Sequence, residues 1–234
     1  MLYVYNYSID GLSIQPHMFA LKKLWEAFLN LLLPQSGMAR ELMHLDTSEI
    51  VHRARRTQRQ LPNTESLFDY RDPLMKQLVW EIKFRGNLQL TKLAATLLYD
   101  HLIADLSDTH LFSNTDQPII VPVPLSLGRN RERGFNQTER LADEMEKLDG
   151  RKNFSVICAV KRVRETKVQT SIKNRAEREK NLRDAFEVID SSLVTGKTLI
   201  ILDDVTTTGS TVQEIRKVLL AAGAKKVTGL TLAH

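Results

Sequence analysis

The second half of the chain alternates short apolar runs with amphipathic helical patterns. The apolar runs at residues 119–123, 156–160, 198–202 and 226–232 have the length and composition of buried strands. Helical patterns lie between them, and the last of these, over residues 210–222, ends before Gly223. Because strands that alternate with helices usually form one parallel sheet, this half predicts an α/β fold, a parallel sheet flanked by helices.

Upstream, the pattern predicts one more strand and two more helices. Residues 66–70 can form the strand. Asp72 followed by Pro73 is a favourable helix start, because Asp caps free amides and Pro suits the first helical turn. We expect this helix to break at Gly86 and a second helix to run over residues 88–103.

The N-terminal part of the chain is predicted to be a helical appendage. Apolar residues recur at helical spacing over 20–33, and a ragged helical pattern follows over 37–60. We therefore predict a helical N-terminal region over residues 1–62 and a second domain over residues 63–234. No apolar stretch is long enough for a bilayer, and the single cysteine excludes a disulfide framework, so we expect no membrane insertion and a cytoplasmic protein.

The net charge of +5 is concentrated in the middle of the chain. Residues 129–183 contain 16 Lys and Arg against 9 Asp and Glu, a local charge of +7, which leaves −2 for the rest. Such a segment indicates an anionic partner, either a polyphosphate or a nucleic-acid backbone, although a solvated surface explains it about equally well.

The candidate chemistry follows the strand predicted over residues 198–202. Two adjacent carboxylates, Asp203 and Asp204, come first and can accept hydrogen bonds from the vicinal hydroxyls of a ribose. In the loop that follows, Gly209 lets the backbone approach a ligand closely. Free amides at the next helix start, with the Thr and Ser hydroxyls, can form a phosphate cradle. The loop residues are Thr206, Thr207, Thr208, Gly209, Ser210 and Thr211.

Two simpler explanations of this segment are weaker. Gly196-Lys197-Thr198 looks like the end of a nucleotide-binding P-loop, but a P-loop leads from a strand into a helix, whereas these residues enter a strand. The threonines could serve only as helix caps, but capping needs one hydroxyl. The segment therefore favours recognition of a ribose and a phosphate together.

Four apolar residues, two acids and a Thr-Thr-Gly-x-Thr loop resemble the signature that binds phosphoribosyl pyrophosphate (PRPP) in type I phosphoribosyltransferases. The resemblance implies that Asp203 and Asp204 take the catalytic position and contact the ribose hydroxyls, and that residues 206–211 hold the 5′-phosphate. It also implies Mg²⁺ as a cofactor, bound through PRPP and not directly by protein ligands.

Other motifs are similar to those of the ComF family of competence proteins, a branch of the same superfamily. They are Pro122-Val-Pro124, Arg131-Glu-Arg-Gly-Phe-Asn-Gln137, Lys83-Phe84 and a spaced pattern from Lys161 to Phe186. In type I enzymes the loop after the corresponding strand holds pyrophosphate. The candidates for that contact are Arg129, Arg131, Arg133, Gly134, Asn136 and Gln137, with an ordinary basic helix start as the alternative.

The basic segment over residues 161–183 is interpreted as a lid that closes over bound ligand and excludes water. Its candidate ligand contacts are Gln169, Arg175 and Arg178, and the two arginines share one face of a predicted helix. Salt bridges with neighbouring glutamates, or contacts to a nucleic-acid backbone, are the alternatives.

The chain departs from the ComF pattern near its N-terminus. ComF proteins usually carry a four-cysteine zinc ribbon there, whereas this chain has no cysteine before Cys158. His44 and His52 alone do not make a structural zinc site, so no zinc is expected. Four arginines could take over a role of the ribbon in DNA binding: Arg53, Arg55, Arg56 and Arg59.

The resemblance implies a PRPP-binding protein of natural competence that handles incoming single-stranded DNA, with the competence helicase machinery as a partner. An active phosphoribosyltransferase of nucleotide salvage or related metabolism, with an unknown acceptor, is the alternative, and a structural adaptor with a relic loop is a third. Sequence-tolerant single-strand binders add stacking aromatics to a basic groove, and the basic middle holds only Phe135 and Phe154. Tight DNA binding is therefore only weakly predicted.

Overall fold

A five-stranded parallel sheet forms the centre of the molecule in the computed structural model, which describes residues 37–59, 61–108, 117–164 and 182–234. Its strand order is β1-β7-β6-β2-β3, and every neighbouring pair is parallel. The strands are β1 (Thr64–Phe68), β2 (Ile119–Pro122), β3 (Ser155–Val156), β6 (Thr198–Val205) and β7 (Lys226–Ala233). Two further strands, β4 (Val160–Arg162) and β5 (Phe186–Val188), form a separate antiparallel pair. The predicted parallel α/β sheet is confirmed.

Helices flank the sheet. They are α1 (Gly37–Leu42), α2 (Thr47–Arg53), α3 (Pro73–Trp80), α4 (Leu88–Asp108), α5 (Leu127–Arg133), α6 (Gln137–Asp149) and α7 (Ser210–Ala221). A π-helical turn, Glu81–Arg85, continues α3, and a 3₁₀ turn, Ser191–Leu193, precedes β6. Within the described ranges, no helix combines the length and apolarity that crossing a bilayer requires.

The two faces of the sheet bury separate apolar clusters, because successive side chains of a strand point to opposite faces. On β6, Ile200 and Leu202 join a cluster with side chains from α1 to α4 and α6. Leu199 and Ile201 join the other cluster, with side chains from α7 and from β4 and β5. β6 therefore lies between two packed layers, which explains why its sequence is apolar without alternation.

The predicted helix start at Asp72 is confirmed. Its side chain accepts hydrogen bonds from the amides of Leu74 and Met75, at 2.8 and 3.4 Å, and Pro73 occupies the first turn. The break at Gly86 is also confirmed, because this residue ends the π-helical turn with a left-handed φ of 61°. The other carboxylate oxygen of Asp72 accepts a hydrogen bond from the Arg55 amide at 3.0 Å, which links this helix start to the segment after α2.

One predicted strand is wrong. Residues 156–160 do not form a single strand, because the chain turns between Ile157 and Ala159, whose amide bonds the Ile157 carbonyl at 2.9 Å. The residues before this turn pair with β2 as β3, and those after it pair with β5 as β4. One continuous apolar run therefore contributes a strand to the parallel sheet and a strand to the antiparallel pair.

A second prediction is wrong in its extent. The strand expected to end at Leu202 continues to Val205, because Asp203 and Val205 keep their register with Thr231 and Ala233 of β7. The acid pair therefore lies inside the last part of β6, and not in the loop after it.

The described part of the N-terminal region packs on the sheet domain. Leu42 and Ile50 are fully buried in the same cluster as the strands. Beyond α2 the chain is extended, and the Thr57 amide donates to the Leu67 carbonyl beside β1. Within the range predicted to be a ragged helix, 37–60, the described residues 37–59 form two short helices and an extended segment. The boundary at residue 62 stays a prediction, and the helix expected over 20–33 lies outside the described residues.

Candidate functional site

The two acids lie at the carboxyl end of β6, the central strand of the sheet. Asp203 is 9% exposed and Asp204 is 3% exposed. Each carboxylate accepts the amide of the residue that follows it, Asp204 and Val205 respectively, at 2.9 Å. Strand alternation assigns Asp203 to the face of α7 and Asp204 to the face of α4 and α6. The pair therefore straddles the edge of the sheet.

Two polar side chains contact Asp204. The Lys83 Nζ lies 3.1 Å from Asp204 Oδ2. The Gln137 Nε2 donates to the same oxygen at 3.4 Å. The buried carboxylate thus lies among polar groups of the π-helical turn and of α6, and its charge is balanced by one ammonium.

The acids differ in their readiness to ionise. Burial, and then the negative charge of Asp204, raise the pKa of Asp203 well above its ordinary value. Burial opposes ionisation of Asp204 as well, but the Lys83 ammonium and hydrogen bonds outweigh it and hold the pKa of Asp204 below its ordinary value. The two carboxyl groups therefore titrate as a coupled pair in which Asp204 is the more acidic member.

The loop after β6 is fixed by backbone contacts to the end of β7. The buried Thr206 continues the ladder, because its amide donates to the Ala233 carbonyl at 3.0 Å. The His234 Nε2 lies 2.7 Å from the Thr207 carbonyl. These contacts position the loop relative to the acid pair.

Gly209 caps the amino end of α7 with a left-handed φ of 76° and no side-chain cap hydrogen bond. A Cβ at this position would also lie 3.3 Å from Leu61 Cδ1, so backbone conformation and space both favour glycine. The Thr208 and Ser210 hydroxyls bond each other at 2.6 Å. This helix start can offer amide donors and a positive dipole end to an anion.

The predicted pyrophosphate loop lies next to the acids. Helix α5 follows the carboxyl end of β2, the neighbour of β6. The Arg133 Nη1 donates to Gln137 Oε1 at 3.2 Å, and Gln137 contacts Asp204. Arg133, Gln137, Asp204 and Lys83 therefore form one continuous set of contacts.

The other residues predicted to contact pyrophosphate differ in how far they are available to a ligand. Asn136 is committed to the protein, because its Nδ2 donates to the Val123 carbonyl at 3.1 Å and to Glu139 at 2.8 Å. Gly134 ends α5 with a left-handed φ of 73°. Arg129 is half-buried on α5, and Arg131 is exposed there.

Three predicted lid residues, Gln169, Arg175 and Arg178, lie outside the described residues. The ends of that segment lie beside the antiparallel pair of β4 and β5. The lid itself remains a prediction.

Sequence reasoning missed the role of Lys83, which it noted only as part of a motif. It also missed His234. Neither position lies near the acid pair in sequence, and the topology alone brings them to the same edge. The one available signal was Lys83-Phe84 itself, a cation at the end of an amphipathic helix.

Comparisons with known proteins agree with this arrangement. The family described as Phosphoribosyl transferase domain matches residues 92–233. Competence protein F of Haemophilus influenzae is 31% identical over 166 residues, which are 70% of this chain and 69% of that protein. DNA utilization protein YhgH of Salmonella typhimurium is 36% identical over 167 residues, 69% of this chain and 67% of that protein. Competence protein ComFC of Streptococcus pneumoniae is 30% identical over 169 residues, 72% and 67% of the two chains.

Among solved structures, the chain is similar to the glutamine PRPP amidotransferase of B. subtilis complexed with ADP and GMP. The identity is 17%, the TM-score is 0.40, and the match covers 65% of this chain and 30% of that one. The domain match and the curated relatives lead to the same assignment. The chain belongs to the phosphoribosyl transferase domain family and, within it, to the ComF family of competence and DNA utilization proteins.

Proposed function

We propose that this chain binds PRPP at the carboxyl edge of its sheet and acts in the cytoplasm in natural competence, where it assists the handling of incoming single-stranded DNA. The proposal depends on one observation, that the acid pair and the loop before α7 follow each other at the end of β6. The buried acid pair, Asp203 and Asp204, lies directly before the loop whose Gly209 begins α7.

Each part of PRPP has a chemical counterpart at this edge. Ribose hydroxyls would donate to the carboxylates, and the 5′-phosphate would accept hydrogen bonds from amides of residues 207–211, because the Thr206 amide already donates to Ala233. Arg133 and Gln137 border the acids on the α5 side, where positive charge suits a pyrophosphate. For a hydroxyl to bond Asp204 Oδ2, the Lys83 ammonium or the Gln137 amide must yield its position.

Mg²⁺ fits this donor set, because it prefers carboxylate, hydroxyl and phosphate oxygens. Asp203 and Asp204 would hold it through the ribose hydroxyls, and when bound the ion would supply positive charge against the pyrophosphate. The protein's own share is to present two carboxylates of unequal pKa on adjacent positions of a rigid strand.

The names of the relatives support the role in DNA handling. Competence protein F and ComFC are named for competence, and YhgH is named for DNA utilization. The competence helicase machinery is the partner that this role implies.

Calorimetric titration of PRPP with Mg²⁺ tests the binding site. We expect saturable heat for the wild type and at least about a tenfold loss of affinity for a double Asp203→Asn, Asp204→Asn variant, because the negative charge of the acid pair is lost and an amide accepts a hydroxyl more weakly than a carboxylate does. The exposed Asp100→Asn on α4 is the matched control and should bind like the wild type. Equal affinity in all three proteins would refute PRPP binding at this edge.

Transfer of phosphoribose to an acceptor is the second candidate function, and the retention of both acids next to the complete loop favours it. An oxocarbenium-like state at C1 would be stabilised by nearby carboxylate charge, with fixed donors for the leaving pyrophosphate. Pyrophosphate release measured over a panel of nucleobases tests this candidate. Release with one base would identify the acceptor, and no release in a protein that binds PRPP would leave binding as the function.

A further inference from the structure

An exposed aromatic ring follows Lys83, the residue that contacts the acid pair. Phe84 is 54% exposed, and it is the aromatic residue among the large hydrophobic side chains that the described segments leave exposed. It directly follows Lys83, whose ammonium contacts Asp204. The ring also packs against Trp80, with ring centres 5.9 Å apart, and its exposed part can offer an apolar surface to a flat ligand.

Phe84 belongs to the π-helical turn that follows α3. The π-helical turn adds a residue to the end of α3, so that the amides of Gly86 and Asn87 both donate to the Glu81 carbonyl. The Glu81 side chain is buried and accepts a hydrogen bond from Gln77 at 3.0 Å. Turns of this kind are frequent at functional sites.

Arginines lie over the aromatic rings of this surface. The Arg133 guanidinium carbon is 5.0 Å from the centre of the Phe84 ring, and that of Arg140 is 3.9 Å from the centre of Phe135. The Phe135 ring in turn packs on Gly86, where a Cβ would lie within 2.9 Å of it. Phe84, Arg133, Phe135 and Arg140 define what we call the aromatic–arginine surface.

We propose that the aromatic–arginine surface binds single-stranded nucleic acid, with one base stacked on Phe84 and the backbone phosphates along α5. Sequence-tolerant strand binding combines base stacking on aromatic rings with a basic path for the backbone. Here the ring adjoins Lys83 and Arg133, and α5 adds Arg129 and Arg131.

The charge distribution favours a strand over a free base. Arg133 is assigned above to the pyrophosphate, but the exposed Arg131 extends the positive charge along α5. A free nucleobase is neutral and would not use it, whereas a polynucleotide carries a phosphate per nucleotide. Phe84 comes from a different part of the chain and adds an exposed ring to the few aromatic residues of the basic middle. The inference rests on the proposed function, because it specifies the surface that performs the DNA handling.

Fluorescence anisotropy with two labelled oligomers of about 16 nucleotides tests the surface, one of thymidylate and one abasic with the same phosphate number. For Phe84→Ala we expect about a tenfold loss of affinity for the thymidylate strand, because one stacked base is lost, and little change for the abasic strand. Phe84→Trp should retain binding. Leu148→Ala, which removes another exposed apolar side chain, is the matched control.

Each outcome decides the proposal. Equal losses on both oligomers, or no loss for Phe84→Ala, would overturn the stacking role while leaving PRPP binding intact. A wild type that binds neither oligomer would overturn both this inference and the DNA-handling part of the proposed function, whereas the PRPP titration would still stand. If free thymidine monophosphate competed as well as the strand, a single-nucleotide pocket would replace the strand. A circular dichroism spectrum and a thermal unfolding midpoint like those of the wild type verify that Phe84→Ala is folded.

Discussion

Charged side chains are solvated at one edge of the central sheet and buried at the other. At the amino edge, beneath α4, a cavity of about 350 Å³ lies between helix and strands. Its polar lining includes Glu65, His101, Asp105, Thr198, Lys226 and Thr228. The Glu65 side chain is 52% exposed and lies 2.8 Å from His101 Nε2. At the carboxyl edge, the Asp204 side chain is 4% exposed and contacts Lys83.

Buried charges indicate a functional site more strongly than solvated charges do. Water solvates the charges of the open edge, so that their positions affect stability little. Burial of two adjacent carboxylates at the other edge is unfavourable without specific partners, and folded proteins retain such pairs mainly where function requires them. Substitutions at the carboxyl edge should therefore change stability more than substitutions at the amino edge.

The largest effect is expected for Lys83→Met, which leaves the buried Asp204 carboxylate without its cation. We expect the free energy of unfolding at pH 7 to fall by about 2 kcal/mol, less than for a fully buried pair because Lys83 is partly exposed. The lowered pKa of Asp204 means that the pair stabilises the fold above the ordinary carboxyl pKa and loses this contribution as pH falls through the lowered value. Urea unfolding at two pH values measures it.

The matched control for Lys83→Met is Lys76→Met on the exposed side of α3. It should change the free energy of unfolding little at either pH. Similar losses for both variants would mean that the carboxyl edge tolerates unpaired charge as easily as the surface does.

An intermediate effect of opposite sign is expected for Asp203→Asn. Because the folded state raises the pKa of Asp203, the folded protein keeps a proton that the unfolded chain releases, and stability falls as pH rises from the ordinary carboxyl pKa towards the raised value. Asparagine should therefore raise the free energy of unfolding by about 1 kcal/mol at pH 8 and by little at pH 3. Thermal unfolding at both pH values measures this. A stability gain that is the same at both pH values would refute the explanation by ionisation.

The smallest effect is expected at the amino edge, for His101→Gln. The hydrogen bond from His101 lowers the pKa of Glu65, so this contact stabilises the fold above that lowered value and is lost as pH falls through it. Because Glu65 is half exposed, the change in free energy of unfolding at pH 6 should be about 0.5 kcal/mol or less, measured by urea unfolding. A loss as large as that of Lys83→Met would abolish the contrast between the edges.

Local pattern was sufficient for most of the fold. The cap at Asp72 and the break at Gly86 depend on neighbours in sequence, and both were predictable. Helix α5 was missed because its seven residues are mostly charged, although Ser126 and Gly134 mark its two ends. The strand over 156–160 was wrong because hydrophobicity does not report the turn at Ile157.

The site also contains a part that the sequence could predict and a part that it could not. The acids and the loop form one contiguous segment, so a motif could identify them. The contact between Lys83 and Asp204 joins distant segments, and only the packing of α3, α6 and β6 brings them together. Asn136 shows the converse: its residue type suggested a ligand contact, whereas its amide holds the Val123 carbonyl.

The strand order has a consequence for how the chain is made. β1 is translated early, yet its neighbour in the sheet, β7, follows every other strand in sequence. During synthesis β1 must therefore remain without this neighbour until residues 226–233 leave the ribosome. Pairings between such distant segments form slowly and leave strand edges open to wrong partners. The nascent protein is accordingly most exposed to aggregation just before its last strand is inserted.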